Sequence, residues 1–567
     1  MTLSQWILFA LAVQFVHFLG TWKLYVAAGY KAWQAAVPVY NAILLMKIIN
    51  RPVWWVILLF IPTINLILFG VLWVETLRSF GRNKTQDTLL VLLTFGLSIF
   101  SLNYSKNLKH ISDRSLRPRT GFGETVSSIL FAVVAATLVH NYFIQPYIIP
   151  TGSLEKSLLI GDFLFVSKFH YGARTPMTAV SFPMVHDTIP VLKVRSYLKK
   201  PQLPYFRLPA LQKIKRNDIV VFSWPADTVR QFFVREKRVD KPIDKKSNYV
   251  KRCVGIPGDT LEIIDGLVYT NGEKNTYSNR AQIQFTFNAY ASKGISSRKL
   301  LNEGFESFSR KYKIENITES SYQQLIPYII GRTGNTVENF HVITEAKGLP
   351  LELVQKLGLR VSEPLESSKE MTLTLEEANT LRKISGMDSV VQRVNKRKVP
   401  NETFFPNKIP YDWNEDNFGP LLIPKKGLTV ALTPSNLPLY KKIITDYESN
   451  DLEISPTEIR INGEVKESYT FQQDYYWMMG DNRHRSEDSR FWGFVPEDHI
   501  VGKPIFIWFS IKGINDGIKN WSVRWDRVFT TVDGPGERLS YFPYFIGVIV
   551  IWQGIVFYRR RKSKSVE

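Results

Sequence analysis

Apolar residues are bunched near the two ends of this 567-residue chain, and that uneven distribution constrains its fold more than any other feature. The overall hydrophobic share of 45% is ordinary for a water-soluble protein, so the clustering carries the information and the average does not. Four N-terminal stretches (about Leu3 to Leu19, Val53 to Val74, Thr88 to Leu102 and Val126 to Phe143) and one C-terminal stretch, Tyr541 to Tyr558, are apolar enough to be considered as membrane spans. The first lacks a basic flank, and Gly20 to Tyr30 offers no cleavage site, so it reads as an anchor rather than a removable leader. Pro62 is expected to kink the second stretch, and the third is the shortest. Residues 155 to 535 read as mostly water-soluble.

Charge orients these stretches. Lys106, Lys109, Arg114, Arg117 and Arg119 precede the fourth, and Arg559, Arg560, Arg561, Lys562 and Lys564 follow the fifth. Basic flanks stay on the cytoplasmic side, which sends everything between Pro146 and Phe542 to the far side. Counting back, Lys23, Lys31, Lys47 and Arg51 fall inside, whereas Arg78, Arg82 and Lys84 would face outward. One early segment is therefore a candidate re-entrant element. The net charge of +21 could suggest nucleic acid, but the basic residues are widely spread and no zinc-finger spacing occurs, so no nucleic-acid partner is expected. Cys253 is the only cysteine, which excludes an intramolecular disulfide and a multi-cysteine metal site without choosing a compartment.

The middle of the chain is β-rich in pattern. Phe163 to Ser167, Asp218 to Trp224, Thr260 to Ile264 and Tyr475 to Met479 are short β-branched and aromatic runs. Turn signals such as Gly161–Asp162, Pro257–Gly258–Asp259, Asn271–Gly272, Asn462–Gly463 and Gly480–Asp481–Asn482 bound them. Gln282 to Asn417 differs, with Lys/Glu-rich stretches such as Leu373 to Lys383 that suit helices, and reads as an insertion. The expected division is a membrane region over 1–122, an anchor over 123–145, a β domain in two parts over 146–281 and 418–535, an α/β insertion over 282–417, and a C-terminal span with a basic tail over 536–567.

Three motifs could carry chemistry. Pro150–Thr151–Gly152–Ser153–Leu154 places a serine in a glycine-containing bend just past the fourth apolar stretch. By itself this is an ordinary loop serine, because serine is a weak nucleophile without a base. Lys251 lies in Tyr249–Val250–Lys251–Arg252–Cys253, where an extended strand would put it on one face with Tyr249 and Cys253. A lysine in a strand is usually a solvated charge, but burial would favour its neutral amine and make it a usable base. The third motif, Gly480 to Arg490 followed by Phe491–Trp492–Gly493–Phe494–Val495–Pro496, is a dense run of donors and acceptors between two apolar strands.

Together and in this order, the three motifs resemble the type I signal peptidase family, in the Bacteroidetes-like form with an extra N-terminal membrane segment. Pro150 to Ser153, Asn217 to Pro225, Lys251 to Asp259 and Gly480 to Val495 match its boxes. The resemblance covers about Ile144 to Ala226, Asn248 to Asn271 and Phe418 to Ser510. It implies an all-β catalytic domain, a folded and partly closed antiparallel sheet anchored by transmembrane helices. It further implies a Ser–Lys endopeptidase that removes signal peptides from exported preproteins at Ala-x-Ala-like sites through an acyl-enzyme. Carried over, Ser153 is the nucleophile and Lys251 the general base, with the Thr151 hydroxyl and the Ser153 N–H as oxyanion hole. Ser486 is expected to hydrogen-bond the Lys251 amine, Asp488 and Arg490 to pair in support of the turn, and Asp481, Asn482 and Arg483 to shape it. Leu154 stands where the family commonly has Met, at the floor of the substrate pocket. No metal or cofactor is implied. The partners are signal peptides and the lipid bilayer, and the setting is the bacterial cytoplasmic membrane with the catalytic part on its outer side. Oligomeric state is not legible.

Two rivals are weaker. Ser153–Leu154–Glu155–Lys156 is also an S-x-x-K string, as in penicillin-binding enzymes, but no K-T-G follows and Pro150 and Gly152 oppose a helix there. Self-cleaving repressors with Ser–Lys pairs would carry a DNA-binding helix pair in place of spans. A membrane scaffold built on an inactivated peptidase would not need both Ser153 and Lys251.

Overall fold

In the computed structural model, which describes residues 3–118, 120–229, 238–315, 317–334, 340–456 and 458–564, three of the five apolar stretches form long helices. These are α1 (Leu3–Ala27), α2 (Gly121–Leu138, continued by a π turn over Val139–Phe143) and α3 (Phe542–Lys564). Each holds a segment long and apolar enough to cross a bilayer: Ser4–Ala27, Gly121–Phe143 and Phe542–Arg559. Phe122 and Phe131 on α2, and Val548 and Phe557 on α3, are exposed, so most of this apolar surface is not buried against protein. Of the basic flanks, Arg119 and the side chains of Arg560, Lys562 and Lys564 lie outside the described part.

The second and third apolar stretches do not form single spanning helices. The stretch from Val53 breaks into Trp55–Leu58 and Ile64–Ser79, with Thr63 at a φ of 71° between them. Pro62 has no N–H to donate and its ring excludes a helical carbonyl one turn back, so the chain breaks where only a kink was expected. The stretch from Thr88 becomes Thr85–Leu93 and Ile99–Asn103, separated at Phe95 and Gly96, both with positive φ. Gly96 is required here, since a Cβ would lie 2.7 Å from the Trp73 ring. These short helices pack with α1 around Leu24, Leu44, Ile64 and Leu68. Glu75 gathers Arg51 at 3.2 Å, Arg78 at 3.6 Å and Arg114, so Arg78, expected to face outward, lies beside two arginines expected inside.

The water-soluble part is built on one curled antiparallel sheet. Its strands are β1 (Ile144–Ile148), β2 (Asp162–Ser167), β3 (Ile219–Ser223), β4 (Asn248–Gly255), β5 (Tyr475–Met479), β6 (Val495–Pro496) and β7 (Ile500–Lys512). The order across the sheet is β1-β2-β7-β3-β4-β5-β6. The curl has identifiable causes. Register shifts interrupt the pairing of β7 with β2 at Phe163/Leu164 and Phe165/Val166, and with β3 at Ile500/Gly502. Such irregularities bend a strand and add twist, closing the sheet into a half-barrel. A core of Ile149, Leu154, Leu158, Leu164, Val166, Ile219, Val221 and Ile507 fills one side. Each such side chain contributes about 1.5–3 kcal/mol on full burial.

Residues 282–417 add two smaller sheets. Gln284–Ile295 pairs with Glu366–Thr374 and Ser389–Gln392 over a core that includes Phe285, Phe287 and Leu373. Ser309–Glu315, His341–Glu345, Gly331–Thr333 and Arg360–Ser362 form the other. The stretch expected to be helical from Leu373 starts as strand and turns into the helix Leu375–Arg382 at Thr374. There the Thr374 hydroxyl accepts from Glu377 N–H, while Glu377 accepts from Thr374 N–H.

Candidate active site

The serine motif sits at the end of an unbroken path from the membrane helix. The π turn of α2 runs straight into β1, and Lys168 N–H donates to the Phe143 carbonyl at 2.8 Å across the junction. After β1 the chain bends through a short 3₁₀ turn, Gly152–Leu154. Leu154 is fully buried among Ile149, Leu158 and Leu164 and pins this turn to the core. As a pocket floor it can act only from beneath. Ser153 is half-buried above it, and Thr151 is exposed with an extended backbone (φ −133°, ψ 156°) and no capping bond from its side chain.

Lys251 lies in β4 and is buried at 4% exposure. Strand alternation puts Tyr249, Lys251 and Cys253 on one face, and the Lys251 ammonium stands 5.6 Å from the centre of the Tyr249 ring. Tyr249 in turn stacks on Trp224 at 5.0 Å and meets Trp492 edge-on at 5.5 Å, so aromatic surface shields this neighbourhood from water. Burial pushes the amine down to about 8, against the opposing pull of the Asp488 and Glu487 carboxylates.

The third motif is a turn held by a dense set of polar contacts, though Asn482 Oδ1, Arg483 Nε and Ser486 Oγ are buried without a hydrogen-bond partner among the described residues. Asp488 and Arg490 form a fully buried pair, with Nε to Oδ1 at 2.9 Å and Nη2 to Oδ2 at 2.9 Å. Asp488 also accepts from Gly480 N–H at 3.0 Å. Burial alone would raise its carboxyl, but the Arg490 charge and these hydrogen bonds outweigh it and hold Asp488 below the usual range. Asp481 takes both arms of Arg252, the residue next to Lys251, at 2.7 and 2.6 Å. Arg483 reaches the Tyr277 hydroxyl at 3.0 Å.

This turn is docked on the serine motif. Asn482 N–H donates to the Ser153 carbonyl and its side-chain amide to the Gly152 carbonyl, both at 3.1 Å. Gly480 makes the approach possible: a Cβ there would stand 2.2 Å from Ser486 Oγ and 2.6 Å from the Ser153 carbonyl oxygen. The bond expected from Ser486 to the Lys251 amine is not formed. Ser486 Oγ is instead buried without a hydrogen-bond partner among the described residues. A buried hydroxyl left open is costly unless something completes it.

Several contributors escape motif reading because they come from 282–417. Gln284 is fully buried; its N–H donates to the Asp481 carbonyl at 2.8 Å and its side-chain amide to the Glu155 carbonyl at 2.6 Å. One residue thus ties the serine loop to the third motif. His484 Nδ1 accepts from Thr286 N–H at 2.9 Å, which leaves the proton on Nε2, donated to Asp416 at 2.8 Å. With both ring nitrogens so occupied, the Glu415–Asp416–His484 cluster is a hydrogen-bonded clasp. Lys156 pairs with Glu377 across the same seam. The one available signal was the Gly480 to Arg490 run itself, too polar to be buried without partners from elsewhere.

Comparison with known proteins identifies the family. The family described as signal peptidase, peptidase S26 matches residues 122–327 and 425–509, together just over half of the chain. Residues 33–113 match a family of unknown function. The signal peptidase I of Buchnera aphidicola subsp. Acyrthosiphon pisum is 23% identical over 420 residues, covering 72% of this chain and 84% of that protein. That of Buchnera aphidicola subsp. Schizaphis graminum is 24% identical over 392 residues, 69% of this chain and 76% of the relative. The Rickettsia massiliae signal peptidase I is 29% identical over 147 residues, 26% of this chain and 42% of its own length. With the curled β sheet, the apolar helices and this match over most of the sheet's strands, the chain belongs to the S26 signal peptidases, serine-protease hydrolases that remove signal peptides.

Proposed function

We propose that this protein cleaves exported preproteins at Ala-x-Ala-like sites with Ser153 as nucleophile and Lys251 as general base. The observation that carries the reading is that both residues abut the same turn. The Ser153 carbonyl is bonded to Asn482, and Lys251 lies in the field of Asp488 and Glu487, with its amine pushed down to about 8. A lysine at its ordinary value would be protonated at neutral pH and could accept nothing. Lys251 takes the proton as Ser153 Oγ attacks the carbonyl carbon of the scissile bond. The Ser153 N–H and the Thr151 hydroxyl, freed of any capping bond, hold the oxyanion. The tetrahedral intermediate collapses to the acyl-enzyme as the leaving amine takes the proton from Lys251. Neutral Lys251 then draws a proton from water, which attacks the ester and regenerates Ser153. Ser486 Oγ completes its hydrogen bonding with the Lys251 amine when substrate closes the site. Asp481, Asn482, Arg483, Asp488 and Arg490 position the turn, and Leu154 supports the pocket from below. On this reading 146–281 and 418–535 form one catalytic unit interrupted by 282–417, on the outer face of the cytoplasmic membrane.

The test is cleavage of a preprotein with an Ala-x-Ala site by the full chain, with Ser153→Ala and Lys251→Ala as comparisons. Cleavage after the second alanine by the wild type and by neither variant is expected. Retained turnover in Lys251→Ala would refute the Ser–Lys assignment.

A further inference from the structure

Where α2 hands over to the sheet, a second lysine, Lys168, is half-buried in surroundings unlike those of Lys251. Lys168, Arg174 and Lys245 line a cavity of about 150 Å³, closed on the other sides by Thr137, His140 and Asn141 of α2 and by Thr63 of the N-terminal region. Thr63 bonds Ser181 of the facing loop at 3.2 Å, so three parts of the chain enclose the cavity. We propose that this cavity binds the phosphoryl group of an anionic membrane lipid.

The charges are unbalanced toward an anion. Lys168 makes no ion pair among the described residues; its ammonium stands 5.9 Å from the Tyr147 ring centre. Arg174 spends its guanidinium on neutral acceptors, the Asp498 carbonyl at 2.8 Å and Ser223 Oγ at 3.2 Å. Lys245 rests over the Tyr197 ring at 5.5 Å. The one carboxylate in the lining, Asp244, already accepts at both oxygens from Thr178, at 3.0 and 2.7 Å. Three basic side chains thus face a single carboxylate in the lining, Asp244, whose charge acts on Arg174 and Lys245, with Asp498 and Asp187 behind it. No carboxylate pairs with Lys168 among the described residues. Burial, with the Arg174 and Arg207 charges added, pushes Lys168 down to about 7, a cost that a phosphate among these groups would reverse.

Position selects the source of the phosphate. His140 and Asn141 lie within the last turn of the apolar segment Gly121–Phe143, so the cavity opens where that segment ends. In a bilayer this is the headgroup layer, where lipid phosphates are concentrated and attract basic side chains. The cavity has room for the phosphoryl group and polar hydrogens from Asn141 to complete it, while the acyl chains would lie along the exposed face of α2.

The test uses the full chain purified in detergent and reconstituted with phosphatidylcholine alone or with added phosphatidylglycerol. Bound lipid is read by native mass spectrometry and stability by thermal unfolding. Wild type should retain phosphatidylglycerol and melt higher with it. Lys168→Met and Lys245→Met should each retain it about tenfold less, the loss expected for one charge-assisted contact, while Lys168→Arg retains it. Should a Met variant fail to fold, a photoactivatable phosphatidylglycerol on the wild type gives the answer, with cross-links expected in peptides containing 137–141 or 168–174. Cross-links confined to other peptides, or equal retention in all variants, would overturn the site. If inorganic phosphate in detergent alone reproduces the Lys168-dependent stabilisation and the lipid adds nothing, the lipid assignment fails.

Discussion

Lys251, buried in β4, and Lys168, half-buried just past the end of β2, are two lysines with depressed amines that differ in what surrounds them. Burial pushes the first down to about 8 and the second to about 7. Around Lys251 stand the carboxylates of Asp488, Glu487 and Asp481, with Arg490 behind them. Around Lys168 stand Arg174 and Arg207. A depressed amine is therefore not in itself the mark of a base. The carboxylates keep Lys251 able to take up a proton, and in the proposed mechanism that proton comes from Ser153. Lys168 has the depressed value without the serine, and its neighbours call for an anion.

The strongest way to break this comparison is to remove each lysine in turn. Lys251→Ala should lower kcat for a soluble peptide substrate by about 10³-fold or more, as loss of a general base does. Lys168→Met should stay within about twofold of wild type in the same assay, because exposed or remote polar changes seldom alter catalysis at a distance. Comparable losses in both would erase the distinction. Next in size is the oxyanion hole: Thr151→Val should cost about 10²- to 10³-fold in kcat, and Thr151→Ser little. Equal loss in the two would assign Thr151 to packing.

The pH dependence sharpens the comparison further. Below about 8, kcat/KM should fall roughly tenfold per unit as Lys251 gains its proton, and it should level off above that value. The profile of Lys168→Met should keep the same midpoint; a shifted one would mean that Lys168 titrates in the reaction. Stability has its own sign. Both lysines have folded values below their ordinary one, so between the two values the unfolded chain binds more protons, and stability is lost as pH falls. For Lys251 that window runs from about 10.5 down to about 8, and for Lys168 on to about 7. Denaturant midpoints measured across this range should decline less in Lys251→Ala and in Lys168→Met than in wild type. Among the losses of kcat, the smallest is expected at Gln284. Gln284→Leu keeps the bulk and loses the bond to the Glu155 carbonyl, and kcat should drop about tenfold with KM little changed, as for a displaced reacting group. A KM-only effect would place Gln284 in substrate binding.

The catalytic strands were legible because each is a short β-branched or aromatic run between glycine-marked turns, and Thr260–Ile264 and Tyr475–Met479 have the bounds their sequences suggest. The helices of the membrane region were less so. Hydropathy registers Val53 to Val74 as continuous, while the backbone obeys Pro62 and breaks. Ser153, Lys251 and the turn from Gly480 stand out as candidates in the sequence because the chemistry proposed for them is local to each motif. Gln284, Thr286 and Asp416 do not, since their part depends on a long-range docking of 282–417 that leaves no periodic trace. The unbonded Ser486 likewise depends on side-chain placement that no spacing rule encodes.

The splice between α2 and β1 acts as a concentration. No flexible linker separates helix from strand, and the bond from Lys168 N–H to the Phe143 carbonyl clamps the joint. A loosely tethered domain would sweep its reactive group through a hemisphere of solvent. A clamped one confines that group to a thin layer, and a substrate anchored in the same bilayer shares the layer. The encounter then becomes a search in two dimensions at high effective concentration. Such an enzyme can afford weak contacts with each substrate and still meet it often, which suits one site serving many unrelated sequences.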